Sequence, residues 1–181
     1  MSEVELHTMR NRLEHGKLNK AQRGELFLHA PVGYVKAADG KLALDPDEQV
    51  REAIHLLFDK YIDLGSIHAT FRYLREHDIK LGIRPISGPS RGQLEWRTPS
   101  RVFVSAILRN PTYAGAYTYG RFPVDRKRQH AGAKRAIRFA PMEEWQVLLQ
   151  NKFPGYISWE QYLENRERAR QNRTTMTTRG S

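Results

Sequence analysis

Arg101, Ser105 and Arg109 recur every four residues in RVFVSAILR, so on a helix they form one stripe, while Val104, Ile107 and Leu108 form another. A guanidinium is a rigid fork of donors that fits a pair of planar acceptors or a phosphate, and a serine hydroxyl both donates and accepts. Such a stripe offers reversible hydrogen bonding to an acceptor-rich surface rather than bond breaking. The same cationic chemistry recurs at Arg97, just before this stretch, and at Lys17, Lys20 and Arg23 near the N-terminus. It is densest between residues 121 and 138, where Arg121, Arg126, Lys127, Arg128, Lys134, Arg135 and Arg138 face a single Asp125.

Residues for covalent or metal chemistry are poorly arranged. There is no cysteine, which removes disulfides and thiolate zinc sites. The seven histidines, His7, His15, His29, His55, His68, His77 and His130, show no ligand spacing with neighbouring carboxylates. Neither a Walker-type phosphate loop nor a Gly-x-Ser-x-Gly elbow occurs. A tyrosine nucleophile needs a surrounding His and Arg cluster at the reacting phosphate, and the tyrosines here are better read as packing. The sequence therefore calls for no cofactor, no metal and no catalytic residue.

Thirty Lys and Arg against twenty Asp and Glu give a net charge of +10 and a pI near 10.0. An excess of that size attracts polyanions and releases counterions from phosphates, so nucleic acid is the first partner to consider, with a solvated basic surface or an acidic protein partner as the alternatives. The 39% hydrophobic content supports a core, and no apolar run approaches the roughly 18 residues that span a bilayer. A cytoplasmic protein with no membrane partner is expected. A chain of 181 residues fits one large or two modest subdomains.

Several elements must hold the cationic residues in place. Residues 2–16 place Leu6, Met9 and Leu13 on one helical face, and Gly16 reads as the stop. The following Lys17, Lys20 and Arg23 then read as an extended basic arm. Asp39-Gly40 is a hairpin turn between Tyr34-Val35 and Leu42-Leu44. Asp45-Pro46-Asp47-Glu48 starts a helix, with Asp45 as cap and Pro46 first, buried through Val50, Ile54, Leu57, Phe58 and Tyr61 to Gly65. Ser66 caps a second helix with Phe71 and Leu74 inward, and residues 79–97 form a loop of about twenty residues. Thr98 caps the third helix, and the alternation Tyr113, Gly115, Tyr117, Tyr119 predicts a strand after it, together suggesting a recognition helix and wing. Beyond a mobile basic loop, strands are expected near Ile137–Phe139 and Gln146–Leu149. Ser158 then caps a final helix packed through Trp159, Tyr162 and Leu163, with a disordered polar tail beyond Arg170. The class is α+β, mainly α, a winged helix-turn-helix-like domain with a small sheet.

Arg23-Gly24-Glu25-Leu26, Pro31-Val32-Gly33-Tyr34, Leu44-Asp45-Pro46, Phe58, Gly65-Ser66, Trp96 and above all Ile107-Leu108-Arg109-Asn110-Pro111-Thr112-Tyr113-Ala114-Gly115 resemble the recombinase domain of large serine recombinases. The likeness covers Asn11 to about Arg173. It implies a remnant of the inter-domain connecting helix at 1–16 and a DNA-binding domain at 17–173 that takes double-stranded DNA, with a tail at 174–181. Within that domain, 17–44 would be the basic arm and hairpin, 45–120 the helix-turn-helix core and wing, and 121–173 the basic loop, strands and final helix. It further implies that the nucleophilic serine belongs to a catalytic domain preceding Met1 and that the zinc ribbon of many relatives is absent, so this chain alone would not cut DNA. Ser105 and Ala106 stand where arginines are frequent in such domains.

The resulting expectation is sequence-specific binding of an attachment-type half-site within a site-specific recombinase of a bacterial, phage or other mobile element. DNA contacts would come from Lys17, Lys20, Arg23, Arg97, Arg101, Ser105, Arg109, Arg121, Arg126, Lys127, Arg128, Lys134 and Arg135. A recombinase catalytic domain or a full-length recombinase is the second candidate partner. Two other readings stay open: an autonomous winged-helix transcriptional regulator, and an inactive truncated recombinase that binds DNA or the full-length enzyme.

Overall fold

The computed structural model describes residues 3–26, 29–124 and 137–178, and the chain forms two compact units. One is drawn from residues 1–28 and 117–152, the other from residues 29–116 and 153–181. The fold is α+β and mainly helical, as expected, with three two-stranded antiparallel sheets among the described residues rather than a single small one.

The first unit begins with α1, Glu3–Gln22. Gly16 does not end this helix. A helical glycine costs only about 1 kcal/mol relative to alanine, and Lys17, Leu18, Lys20 and Ala21 all favour helix. The stop comes at Gly24, whose φ of 69° lets its N–H reach the Ala21 carbonyl at 2.8 Å while Glu25 N–H reaches Lys20 at 3.0 Å. Lys17 and Lys20 thus stand on a helix and not on an extended arm. The expected apolar face of α1 is uncovered, with Leu6, Met9 and Leu13 at 41%, 52% and 60% exposure. In the same unit β5, Tyr117–Tyr119, pairs antiparallel with β6, Val147–Leu149. The expected strand near Ile137 is reduced to one bridge with Val124.

The second unit opens with the predicted hairpin of β1, Tyr34–Lys36, and β2, Leu42–Leu44. Helix α2, Glu48–Leu64, follows and buries the five expected residues. Its cap is Asp47, which accepts from the amides of Gln49 and Val50, and not Asp45. Asp45 is drawn instead into a buried ion pair with Arg84. Ser66 caps α3, Ile67–Glu76, as predicted; Leu74 is buried and Phe71 half-buried, while Thr70 is buried because its hydroxyl donates to Ser66 O at 2.9 Å.

The interval 79–97 is no structureless loop. β3, Leu81–Ile83, pairs with β4, Glu95–Arg97, in a hairpin whose register sets Trp96 opposite Gly82. Gly82 is closely packed, since a Cβ there would lie 2.5 Å from Val50. Helix α4, Arg101–Leu108, starts at a Ser100 cap that accepts from the Phe103 amide at 3.2 Å, so Thr98 is not the cap. Pro99 is buried outside the helix.

The strand predicted from Tyr113 is broken. Pro111–Ala114 is a 3-10 turn capped by the Asn110 side chain, and only Tyr117–Tyr119 is extended. Gly115, at φ 69°, ends the turn where a Cβ would come within 2.5 Å of Phe153 O. The crossing lets Tyr156 and Ile157 amides donate to Tyr113 O at 2.7 and 3.1 Å. The final helix, α5, is Trp159–Thr178, so residues 171–178 are helical where a disordered tail was expected. Ser158 caps it through the Gln161 amide at 3.1 Å, and Tyr162 is buried, but Leu163 is 38% exposed and Asn165 takes the inward position.

Three tyrosines set the centre of this unit. Tyr34 packs edge-on against Tyr113 and Tyr156 at 5.7 and 5.3 Å, and Phe58 closes on Tyr113 at 5.5 Å. Their hydroxyls donate to backbone: Tyr34 to Thr112 O and Pro154 O at 2.9 Å each, Tyr113 to Val32 O at 2.7 Å, and Tyr156 to Gly33 O. Burial pushes all three phenols up, Tyr156 to about 12. They are packing residues, with hydroxyls committed to carbonyls.

Candidate nucleic-acid interface

Helix α4 is supported on one side and open on the other. Val104, Ile107 and Leu108 are buried, and α4 packs on α3, which packs on α2. Arg101, Val102 and Ala106 are exposed and Ser105 is half-buried. Among the described residues nothing pairs with the Arg101 guanidinium, so its donors face solvent. The cap at Ser100 fixes where the helix begins and therefore which residues form the open face.

Arg109 differs from the rest of the predicted stripe. It is the half-buried C-cap of α4, and its charge lies near enough to Tyr61 to pull that phenol down against the stronger upward effect of burial. The Tyr162 hydroxyl also reaches Arg109 O at 3.5 Å. This arginine is engaged within the fold.

Arg97 is exposed on β4 and forms an ion pair with Glu95 two residues earlier, on the same face of the strand. The Ser90 hydroxyl and then Arg97 hold the Glu95 carboxyl below its usual value. Trp96, between them, is 39% exposed.

The remaining candidates belong to the other unit. Lys17 and Lys20 are exposed on α1, and Arg23, just past its end, pairs with Glu25 at 3.0 Å while its carbonyl accepts from Lys152 Nζ at 2.8 Å. Arg121 is half-buried with its guanidinium over the rings of Phe122, Trp145 and Phe139, at 5.2, 5.6 and 5.9 Å from their centroids. That cation–π arrangement gives it a packing role in its own unit. Arg126, Lys127, Arg128, Lys134 and Arg135 lie outside the described residues, as does the basic loop expected to carry them. Among the described residues no cluster of His, Asp and Glu could hold a metal ion, and no helix is long and apolar enough to cross a membrane.

Val102 stands exposed on α4 although the sequence spacing does not single it out. Its signal is a branched apolar residue on the flank that otherwise carries Arg101 and Ser105. Arg168 is not singled out either: it donates to the Tyr61 and Ile62 carbonyls at 3.3 and 2.9 Å, closing the C-terminal end of α2.

A family model described as Recombinase matches residues 48–172, from the first turn of α2 into α5. The chain belongs to the Recombinase family. The matched span contains Arg97, Arg101, Ser105, Arg109 and the basic segment, and excludes Lys17, Lys20 and Arg23. This Recombinase chain is 40% identical over 174 residues to the uncharacterised protein y4bA/y4pH of Sinorhizobium fredii (strain NBRC 101917 / NGR234). The alignment covers 96% of this chain and 25% of that protein, so the chain spans about a quarter of its relative.

Two solved structures share the Recombinase fold. One, described as the crystal structure of an LSR–DNA complex, superposes with a TM-score of 0.54 at 18% identity, over 87% of this chain and 38% of that one. The other, described by the sequence requirements of the Listeria innocua prophage attP site, gives 0.53 at 17% identity, over 87% and 50%.

Proposed function

We propose that this chain is the DNA-binding part of a serine site-specific recombinase and that α4 enters a major groove of an attachment-type half-site. The observation that carries the reading is the division of α4 in a Recombinase-family chain: Val104, Ile107 and Leu108 anchor it, while Arg101 and Ser105 stand on its open face. An arginine fork takes two hydrogen bonds from guanine, and a serine tolerates donors and acceptors alike. Lys17, Lys20, Arg23, Arg97 and the basic residues from Arg121 to Arg135 supply the field that draws the phosphate backbone, without reading bases. One superposed structure is described as an LSR–DNA complex and the other by the sequence requirements of a prophage attP site, which supports the same partner.

The proposed role is occupancy rather than cleavage. In this chain Tyr34, Tyr113 and Tyr156 are tied to carbonyls, and three of its eight serines, Ser66, Ser100 and Ser158, act as helix caps. The test is titration of the purified chain against duplexes at several salt concentrations, beside incubation with supercoiled plasmid carrying the selected site. If about 6 phosphates are neutralised, affinity falls by roughly three orders of magnitude between 50 and 200 mM salt. The plasmid stays intact and no covalent adduct survives detergent. A flat salt plot removes the DNA reading, and an adduct lost with one serine replaced removes the non-catalytic one.

A further inference from the structure

Val102 is 78% exposed, the highest exposure of any large apolar side chain among the described residues. At about 100° of turn per residue it lies roughly 60° from Ser105 and roughly 40° from Ala106, inside the open arc that Arg101 borders. Among the described residues nothing covers it, and Val104, Ile107 and Leu108 on the opposite side hold the helix down. A β-branched residue is also a poorer helix former than the alanine that would serve an idle surface position.

We infer that Val102 is a specificity residue of α4 that packs against the C5-methyl group of a thymine in the major groove. This rests on the DNA-binding reading proposed above. The major-groove edges of guanine, cytosine and adenine present hydrogen-bond donors and acceptors, whereas thymine adds an apolar methyl. Valine, with no polar atom, distinguishes that methyl and is indifferent to the rest. Its neighbours fit the same surface: Arg101 supplies charge-assisted donors at one border of the arc, and Ala106 is small enough to let the backbone come close. Eight residues of helix measure about 12 Å, comparable to the roughly 12 Å width of the groove. The net charge of +10 suits a polyanion as the occupant.

The experiment removes the C5-methyl from the DNA and the two γ-methyls of Val102 from the protein in turn. A duplex is selected from a random pool with the purified chain, and each dT is replaced singly by deoxyuridine, which keeps base pairing and deletes only the C5-methyl. The wild-type chain loses about fourfold in affinity at one or two positions, the worth of one buried methyl-sized group. Val102→Ala loses about fourfold on the unmodified duplex and is insensitive to deoxyuridine at those positions. Val102→Thr, which keeps one methyl, falls between them. Thermal midpoints unchanged from wild type show that both variants fold.

Two results overturn the inference: wild type indifferent to deoxyuridine at every position, or Val102→Ala retaining the full deoxyuridine loss. Failure to bind any duplex sinks the DNA-binding reading and this inference with it. Tight, selective binding without methyl coupling removes the Val102 assignment alone.

Discussion

Arg84 holds Asp45 through both carboxylate oxygens, Nε donating to Oδ2 at 2.8 Å and Nη2 to Oδ1 at 3.0 Å. Asp45 is 2% exposed, and the Asp47 amide donates to the same Oδ1 at 3.0 Å. The pair ties the end of β3 to the entry of α2, the helix against which α3 packs and, through it, α4. Burial alone raises the Asp45 carboxyl, but the Arg84 fork, the Asp47 amide and the Arg51 charge together outweigh it and hold the group below its ordinary value.

The sign of the pH effect follows. A carboxyl whose folded pKa is depressed contributes stability above its unfolded value, near 3.9, and loses it as pH falls through the folded value. Arg84→Met strands a buried carboxylate, so about 3 kcal/mol is lost at pH 7. Loss of the fork relieves the depression of the Asp45 carboxyl, so the wild type gives up more stability than the variant as pH falls and the variant's deficit shrinks toward pH 4. Asp45→Asn costs less, because the released Arg84, 29% exposed, can be solvated. Urea unfolding of both variants at pH 7 and pH 4 measures this; equal losses at both pH values contradict it.

Alkaline pH acts on the tyrosine cluster. Burial raises Tyr156 to about 12 and lifts Tyr34 and Tyr113 as well. Their neutral forms therefore stabilise the fold fully below pH 10, and this contribution fades as pH climbs through the folded values. Phenolate absorbance at 295 nm should show a late phase near pH 12 that coincides with loss of helical circular dichroism. Tyr156→Phe should remove part of the late phase and cost about 1 kcal/mol at pH 7 for the lost hydrogen bond. A single titration step near pH 10 in the folded protein would contradict the burial.

Gly115 permits the crossing at Gly155, and its Cβ space is already occupied by Phe153 O. Gly115→Ala combines a left-handed backbone with a clash against main chain, and should destabilise by about 2 kcal/mol or more. Gly40→Ala, at φ 81° but with nothing within 4 Å, carries only the backbone cost and serves as the comparison. Chemical denaturation midpoints separate the two, and equal shifts would mean the crossing relaxes freely.

Arg101 and Arg109 should part company despite sharing a stripe in the sequence. Arg101→Ala leaves the thermal midpoint unchanged and weakens the preferred duplex by about 1–3 kcal/mol more than a random one. Arg109→Ala lowers stability, because Arg109 has an interaction within the fold and its charge acts on Tyr61. Calorimetry paired with anisotropy titration decides the matter; the reverse assignment would make the C-terminal end of α4 the reading end.

Local chemistry determined much of what the sequence revealed. The Asp39-Gly40 hairpin, the caps at Ser66 and Ser158, the buried face of α2 and the packing trio Val104, Ile107 and Leu108 depend on neighbours within a few residues, so spacing alone carries them. The excess of basic charge and the resemblance carried by the 107–115 segment were legible for the same reason. What tertiary structure decided rests on partners far along the chain. Asp45 left its capping position because Arg84, 39 residues away, offers a buried carboxylate two donors, and Asp47 took over the cap. Tyr113 left the strand pattern because its carbonyl receives the amides of Tyr156 and Ile157. Arg109 is drawn toward the fold at the end of α4 near Tyr61 and Tyr162, whereas among the described residues Val102 stays 78% exposed. Periodicity identifies the face of a helix, but which residues on that face remain open is fixed by the elements that pack around it.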